Sequence, residues 1–421
     1  MNSGINLNDP IVVAAFKAAL LHQGLIALLI FATLGMAWVT VRAWRPAAAQ
    51  AGAGGPGGAG ESAEAAGPVL AEPAWRQLLR IGFGLLWIVD GILQAQPQMA
   101  VGLPSQVIEP TAASSPPWVQ HVVNWAGTTW SYHPMQAGAS AVWIQVGIGI
   151  WMLVAARGPL SRLAGLVSLG WGLVVWVFGE SFGGIFAPGL TWLFGAPGAV
   201  LIYAVAGALI ALPERAWRAR ELGRLILGGT GLFLVGMAVL QAWPGRGFWQ
   251  GTSHGQAGTL TGMVQTMAGT PQPGFLSSWV SAFGSFSAAH GFAVNLFVVT
   301  ALAVTGAAFL SGRPALIRPV LIGFTVLCLA DWVLIEDLGF LGGLGTDPNS
   351  MIPFVLLAWA GYLALARAPA TAAEPAAAAA PDAGWRDRAR SARARFRPQA
   401  VRRSAAAASI QSVAAVGAIG L

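Results

Sequence analysis

The sequence predicts an all-α, polytopic integral membrane protein with about nine transmembrane helices. Three observations predict it. Hydrophobic residues make up 56% of the chain and charged residues only 9%, with a mean hydropathy of +0.64, which is more apolar surface than a soluble core can hide. The apolar residues come in runs of roughly bilayer-crossing length, about 20 residues. One pattern, Trp176-Val177-Phe178-Gly179-Glu180-Ser181-Phe182-Gly183, returns as Trp332-Val333-Leu334-Ile335-Glu336-Asp337-Leu338-Gly339, as expected of a duplicated bundle.

The first domain, residues 1–45, is a separate N-terminal transmembrane helix over residues 11–41; it carries Lys17 and His22 and ends in Arg42 and Arg45. Residues 46–74 are Ala, Gly and Pro with Glu61, Glu64 and Glu72, a composition that buries too little to fold and predicts a disordered linker. A first four-helix repeat occupies 75–217, with apolar runs at 78–96, 136–155, 163–179 and 196–212. A second occupies 218–368, with runs at 225–243, 291–310, 320–335 and 351–366. Residues 369–421 form a disordered, Ala/Arg-rich cytoplasmic tail with eight arginines from Arg386 to Arg403; whether 404–421 add another membrane segment stays open. Residues 1–10 are polar, without Lys or Arg, and give no cleavable signal.

The repeats align beyond their shared motif. Gly82-Phe83-Gly84-Leu85 and Leu93-Gln94-Ala95-Gln96-Pro97 recur, 147 residues on, as Gly229-Thr230-Gly231-Leu232 and Leu240-Gln241-Ala242-Trp243-Pro244. Trp118 pairs with Trp279, and His133 with His290, in the same order. Four spans per copy make these parallel repeats. Each has a long loop after its first span, where Trp118, Val122 and Trp125, or Phe275, Trp279, Phe283 and Phe286, recur at helical spacing. These predict interfacial helices that anchor aromatics at headgroup depth.

The net charge of +7 is distributed unevenly. If nine spans alternate, Arg42, Arg45, Arg76, Arg80, Arg157, Arg162, Arg215, Arg218, Arg220, Arg224, Arg313, Arg318 and Arg367 fall on one side and only Arg246 on the other. The positive-inside tendency then puts the N-terminus outside a cell membrane and the C-terminus in the cytoplasm. The arginine tail suits anionic headgroups, and its shortage of aromatics gives nucleic acid no platform. The one cysteine, Cys328, excludes an internal disulfide and Cys-based metal motifs.

Ionisable residues within apolar runs are costly and mark candidate sites. Asp90, Asp331 and His22 lie in the outer halves of spans, and Glu180 and Glu336 at outer helix ends. Together they predict one outward-facing acidic pocket for a ligand or protons. Asp90 pairing with Lys17, and both glutamates as solvated loop carboxylates, are the plainer readings. His133 and His290 are candidate metal ligands beside Glu180 and Glu336, although no full ligand set emerges; His121 and His254 add no spacing motif. The Gly339–Ser350 loop lacks a phosphate-binding Lys-Ser/Thr; its glycines let the backbone re-enter among helices, and Asp347-Pro348-Asn349 reads as a turn.

Arg80-Ile81-Gly82-Phe83-Gly84-Leu85-Leu86-Trp87-Ile88-Val89-Asp90-Gly91 resembles the opening helix of the DoxX-like four-helix membrane family, with its inner-end arginine, spaced glycines, aromatic residue and polar residue before glycine. The resemblance implies a tandem duplication of that fold, and links to quinone-dependent sulfur oxidation and membrane redox complexes. The chain departs from the pattern in having Gln94 and Gln96 where a lysine is usual, and Met237 at the place of Asp90. The leading functional expectation is a membrane subunit of a redox or respiratory system, working in the lipid bilayer with membrane redox partners and handling a quinone headgroup or protons. A cation or metal permease using the same pocket, and a non-catalytic membrane scaffold, are the alternatives.

Overall fold

The computed structural model describes residues 8–52, 71–341 and 344–367. Residues 53–70 of the expected linker, the expected tail and the candidate segment at 404–421 lie outside the described residues.

The chain is helical almost throughout: α1 (Pro10–Gly52), α2 (Ala74–Gln94), α3 (Met99–Leu103), α4 (Glu109–Ala112), α5 (Pro117–Tyr132), α6 (Pro134–Val154), α7 (Gly158–Phe178), α8 (Ala199–Ala211), α9 (Arg220–Ala242), α10 (Thr259–Ala268), α11 (Gly274–Leu310), α12 (Pro314–Leu334) and α13 (Met351–Arg367). The only strands among the described residues are β1 (Thr252–Ser253) and β2 (Gln256–Ala257), an antiparallel pair. Seven helices, α1, α2, α6, α7, α9, α11 and α12, are long and apolar enough to cross a membrane. Their outward faces expose large apolar side chains such as Leu85, Ile92, Ile150, Leu232 and Val326, as a multi-pass membrane protein must toward lipid.

All nine predicted runs are helices, but α8 and α13 are shorter than the rest. The 13 residues of α8 reach about 20 Å at 1.5 Å per residue, against a hydrocarbon core of about 30 Å. Pro197-Gly198 before it and Pro213 after it set those limits. The first apolar span, Pro10–Val41, matches the run predicted at 11–41, and its helix continues to Gly52 through alanines, the strongest helix formers. Glu72 is likewise no idle linker residue. Its carboxylate bridges Arg76 at 2.6 Å and Arg80 at 2.9 Å. The two guanidiniums, both buried, also donate to the carbonyls of Met152 and Ile210, so cations close the carbonyl ends of α6 and α8.

Two rings of four helices result. In the first, α2 packs on α6, α6 on α7, α7 on α8 and α8 on α2; in the second, α9 packs on α11, α11 on α12, α12 on α13 and α13 on α9. The last helix, α13, also touches α2 and α8, and α1 lies against α6. The crossing of the first two helices in each ring uses matching glycines. A Cβ on Gly149 would stand 2.5 Å from the Gly84 carbonyl oxygen, and one on Gly306 2.7 Å from that of Gly231, so both backbones meet at a distance only glycine permits.

The recurring motif builds the same corner twice. After α7 the chain turns through Ser181, Phe182 and Gly183, with φ of 51°, 59° and 60°; after α12 it turns through Asp337, Leu338 and Gly339, with φ of 57°, 59° and 73°. The Trp176 indole donates to the Pro197 carbonyl at 2.7 Å, and the Trp332 indole to that of Pro348 at 2.8 Å. Glu180 accepts from the Val200 N–H at 3.2 Å, and Glu336 from the Ser350 and Met351 N–H groups at 3.4 Å. Each glutamate thus caps the N-terminus of its ring's fourth helix, where unpaired donors and the helix dipole favour a carboxylate. Caps of this kind contribute about 1 kcal/mol.

Candidate functional site

A cavity of about 440 Å³ lies inside the first ring, toward the end that holds Glu180 and away from Arg76 and Arg80. Part of its wall is α5, whose Trp125 and Trp130 line it together with Leu103 and Ile108. Trp125 is therefore more than the headgroup anchor predicted for it: Val119 and Val123, on the same helix, are fully buried, and the indole of Trp130, which the prediction did not include, donates to the Ala100 carbonyl at 2.8 Å.

The walls are apolar, and a few polar groups converge through them. Asp90 and Gln94, one turn apart on α2, are 2% and 7% exposed, and Gln145 on α6 is 5% exposed. The Tyr203 hydroxyl of α8 donates to Asp90 Oδ1 at 3.4 Å. Asp90 Oδ2, Gln94 Oε1, Gln145 Oε1 and the Trp171 indole N–H on α7 are buried with no hydrogen-bond partner. Buried polar groups are almost always paired, so four orphans around one cavity describe a place with hydrogen-bonding capacity left over.

Glu180 borders the same cavity, as do Thr346 and Asp347 from the glycine-rich loop of the second ring. Asp347 Oδ1 accepts from the Asn349 N–H at 2.7 Å, and Oδ2 from the Thr346 hydroxyl at 2.9 Å, so it does form the predicted turn. The residue is nonetheless buried, at 8% exposed. Burial raises the pKa of Asp347, and burial followed by repulsion from Asp347 raises that of Glu180 well above the usual range. Glu336 is shifted the same way, chiefly by burial. The loop is held in place by Gln96 donating to the Gly345 carbonyl at 3.2 Å and by the Ser350 hydroxyl donating to that of Gly195 at 2.7 Å.

The expected single pocket is thus divided. Asp90 and Glu180 share the cavity. Glu336 faces the start of α13 as a cap, and Asp331 lines a separate cavity in the second ring. His22 and Lys17 are exposed on α1, so the Asp90–Lys17 pairing gives way to Asp90–Tyr203. Exposed His133 and His290 occupy equivalent kinks, φ −140° at the start of α6 and φ −127° within α11. Neither lines a cavity described above, and among the described residues no three of His, Cys, Asp or Glu gather as a metal site. Gln94, Gln145, Trp171, Tyr203 and Asp347 are the residues that sequence reasoning left out. Only the recurrence of Gln94 as Gln241 gave any signal of them; Gln241 is paired with Thr191 at 2.7 Å and Asn295 at 2.9 Å, whereas Gln94 Oε1 is free. No family model, curated protein or solved structure matches the chain.

Proposed function

We propose that this chain is a membrane subunit of a redox or respiratory system, in which the Asp90 cavity receives a quinone headgroup and exchanges its protons. The observation that carries the reading is the set of four orphaned polar atoms on residues that line one apolar cavity. The Trp171 N–H suits a quinone carbonyl, while Gln94 Oε1, Gln145 Oε1 and Asp90 Oδ2 suit the hydroxyls of the reduced form. Apolar walls with few polar groups are the usual lining for such a ligand, and Glu180 and Asp347, with raised pKa values, stand beside it as groups that hold and exchange protons.

The architecture behind this reading is one N-terminal span followed by two tandem four-helix repeats, nine spans in all, in a cell membrane. The N-terminus is outside, so that the cavity sits in the outer leaflet. Matching corners, matching glycine crossings and matching histidine kinks support the duplication, and the four-helix rings are of the kind the DoxX-like resemblance implies.

The test is binding of a short-chain ubiquinone to the purified protein in lipid nanodiscs. Gln145→Leu and Trp171→Phe are each expected to weaken binding about tenfold, the equivalent of one hydrogen bond of about 1.4 kcal/mol. Wild-type affinity in both would sink the proposal. The permease alternative is favoured by one observation, three carboxylates and no basic side chain around the cavity. It requires small-cation uptake into proteoliposomes that Asp90→Asn abolishes.

A further inference from the structure

The cavity at Asp331 shares eight equivalent lining positions with the one at Asp90. Ala126, Thr129, Ala137 and Ala141 of the first cavity correspond to Phe283, Phe286, Val294 and Val298 of the second, at the displacement that takes His133 to His290. Trp171, Val174, Val175 and Phe178 correspond to Leu327, Ala330, Asp331 and Leu334, at the displacement that takes Glu180 to Glu336. Backbone bonds confirm the register: the Gly179 and Glu180 N–H groups donate to the Val175 carbonyl, and those of Ile335 and Glu336 to the Asp331 carbonyl. The second cavity, of about 370 Å³, has apolar walls with one ionisable side chain. Asp331 is 3% exposed and neither carboxylate oxygen has a partner. The carboxyl has thus moved: the first ring carries it on its first helix, as Asp90, and the second on its third, where Met237 stands at the place of Asp90 and Asp331 at the place of Val175.

We infer that the Asp331 cavity is a second, separate binding site for a small molecule with an apolar body and a single hydrogen-bonding head, the acid of Asp331 meeting that head. A carboxyl can donate a hydrogen bond to a carbonyl or ether oxygen or accept one from a hydroxyl, and the two unpartnered oxygens of Asp331 leave that capacity unused. Phe286 and Phe297 line this cavity while 52% and 62% exposed, so it opens on the molecule's apolar flank, and a ligand dissolved in lipid reaches it from there. The class of ligand rests on the reading of the first cavity; the cavity and its unpartnered carboxyl do not.

The experiment treats the full-length protein in nanodiscs with dicyclohexylcarbodiimide, an apolar reagent that converts protonated buried carboxyls to N-acylureas. Peptide mass spectrometry locates the adducts, with and without ubiquinone-1. An adduct on Asp331, absent in Asp331→Asn and reduced about tenfold by ubiquinone-1 at ten times its dissociation constant, is the expected result. No adduct on Asp331, or one that ubiquinone-1 leaves unchanged while protecting Asp90, overturns the second site and spares the first. Protection at Asp331 alone keeps the second site and removes the first reading, and labelling of both carboxyls without protection removes both.

Discussion

Asp347 shows how one residue carries two roles. Its side chain closes an Asp-Pro-Asn turn, the feature visible in sequence, and in doing so brings a carboxylate of the second ring to the cavity of the first. The consequence for pH follows from sign. Burial raises the pKa of Asp347, and burial with the charge of Asp347 raises that of Glu180, so the folded state holds these protons where the unfolded chain has released them. Their contribution to stability is complete below the ordinary carboxylate range, about pH 4, and is lost as pH rises through the folded values. The melting temperature in detergent should therefore fall as pH rises above about 4, and Asp347→Asn should flatten that slope; a slope unchanged in the variant would refute this account. Asp90 and Glu180 were legible in the sequence because charge in or beside an apolar run stands out. Gln94, Gln145 and Trp171 were not, because an amide or an indole passes unnoticed in a hydrophobic helix until its partners are seen to be missing. His22 misled for the converse reason: it lies in an apolar run, but on a helix with most of its surface exposed.

Among the elements, the glycine crossings set how closely helices approach. Gly306→Leu would drive a side chain into the Gly231 carbonyl and Val235, an overpacking that typically costs 1–3 kcal/mol. Gly323, on α12, has open space where its side chain would go, so Gly323→Leu should leave the unfolding midpoint nearly unchanged. Equal effects from the two substitutions would remove the crossing from the account. The helices themselves were readable from their apolar runs, and the corners from the recurring Trp-to-Glu motif. What the motif does was not readable: its glutamates first serve helix starts, and Glu180 alone of the two also borders the Asp90 cavity. The aromatic segment before His133 was legible as a helix, but its docking at the cavity depends on contacts with residues 99–112, which carry no periodic signal of their own.

At the scale of the whole molecule, the arginine distribution underlies the proposed orientation, which labelling can check. In a Cys328→Ser background, Ser253→Cys at the end of β1 should react with a membrane-impermeant maleimide on intact cells. Arg215→Cys, at the opposite end of α9, should react only after the membrane is opened. The reverse pattern would invert the protein. The two cavities also show a reciprocity. Thr346 and Asp347, from the corner loop of the second ring, wall the first cavity, and Leu193, from the corner loop of the first ring, walls the second. Neither half owns a finished chamber, so a chain cut between α8 and α9 should yield two fragments that are each missing a wall. A molecule lodged in either chamber touches both halves at once, and its occupancy works as a cross-brace against their parting.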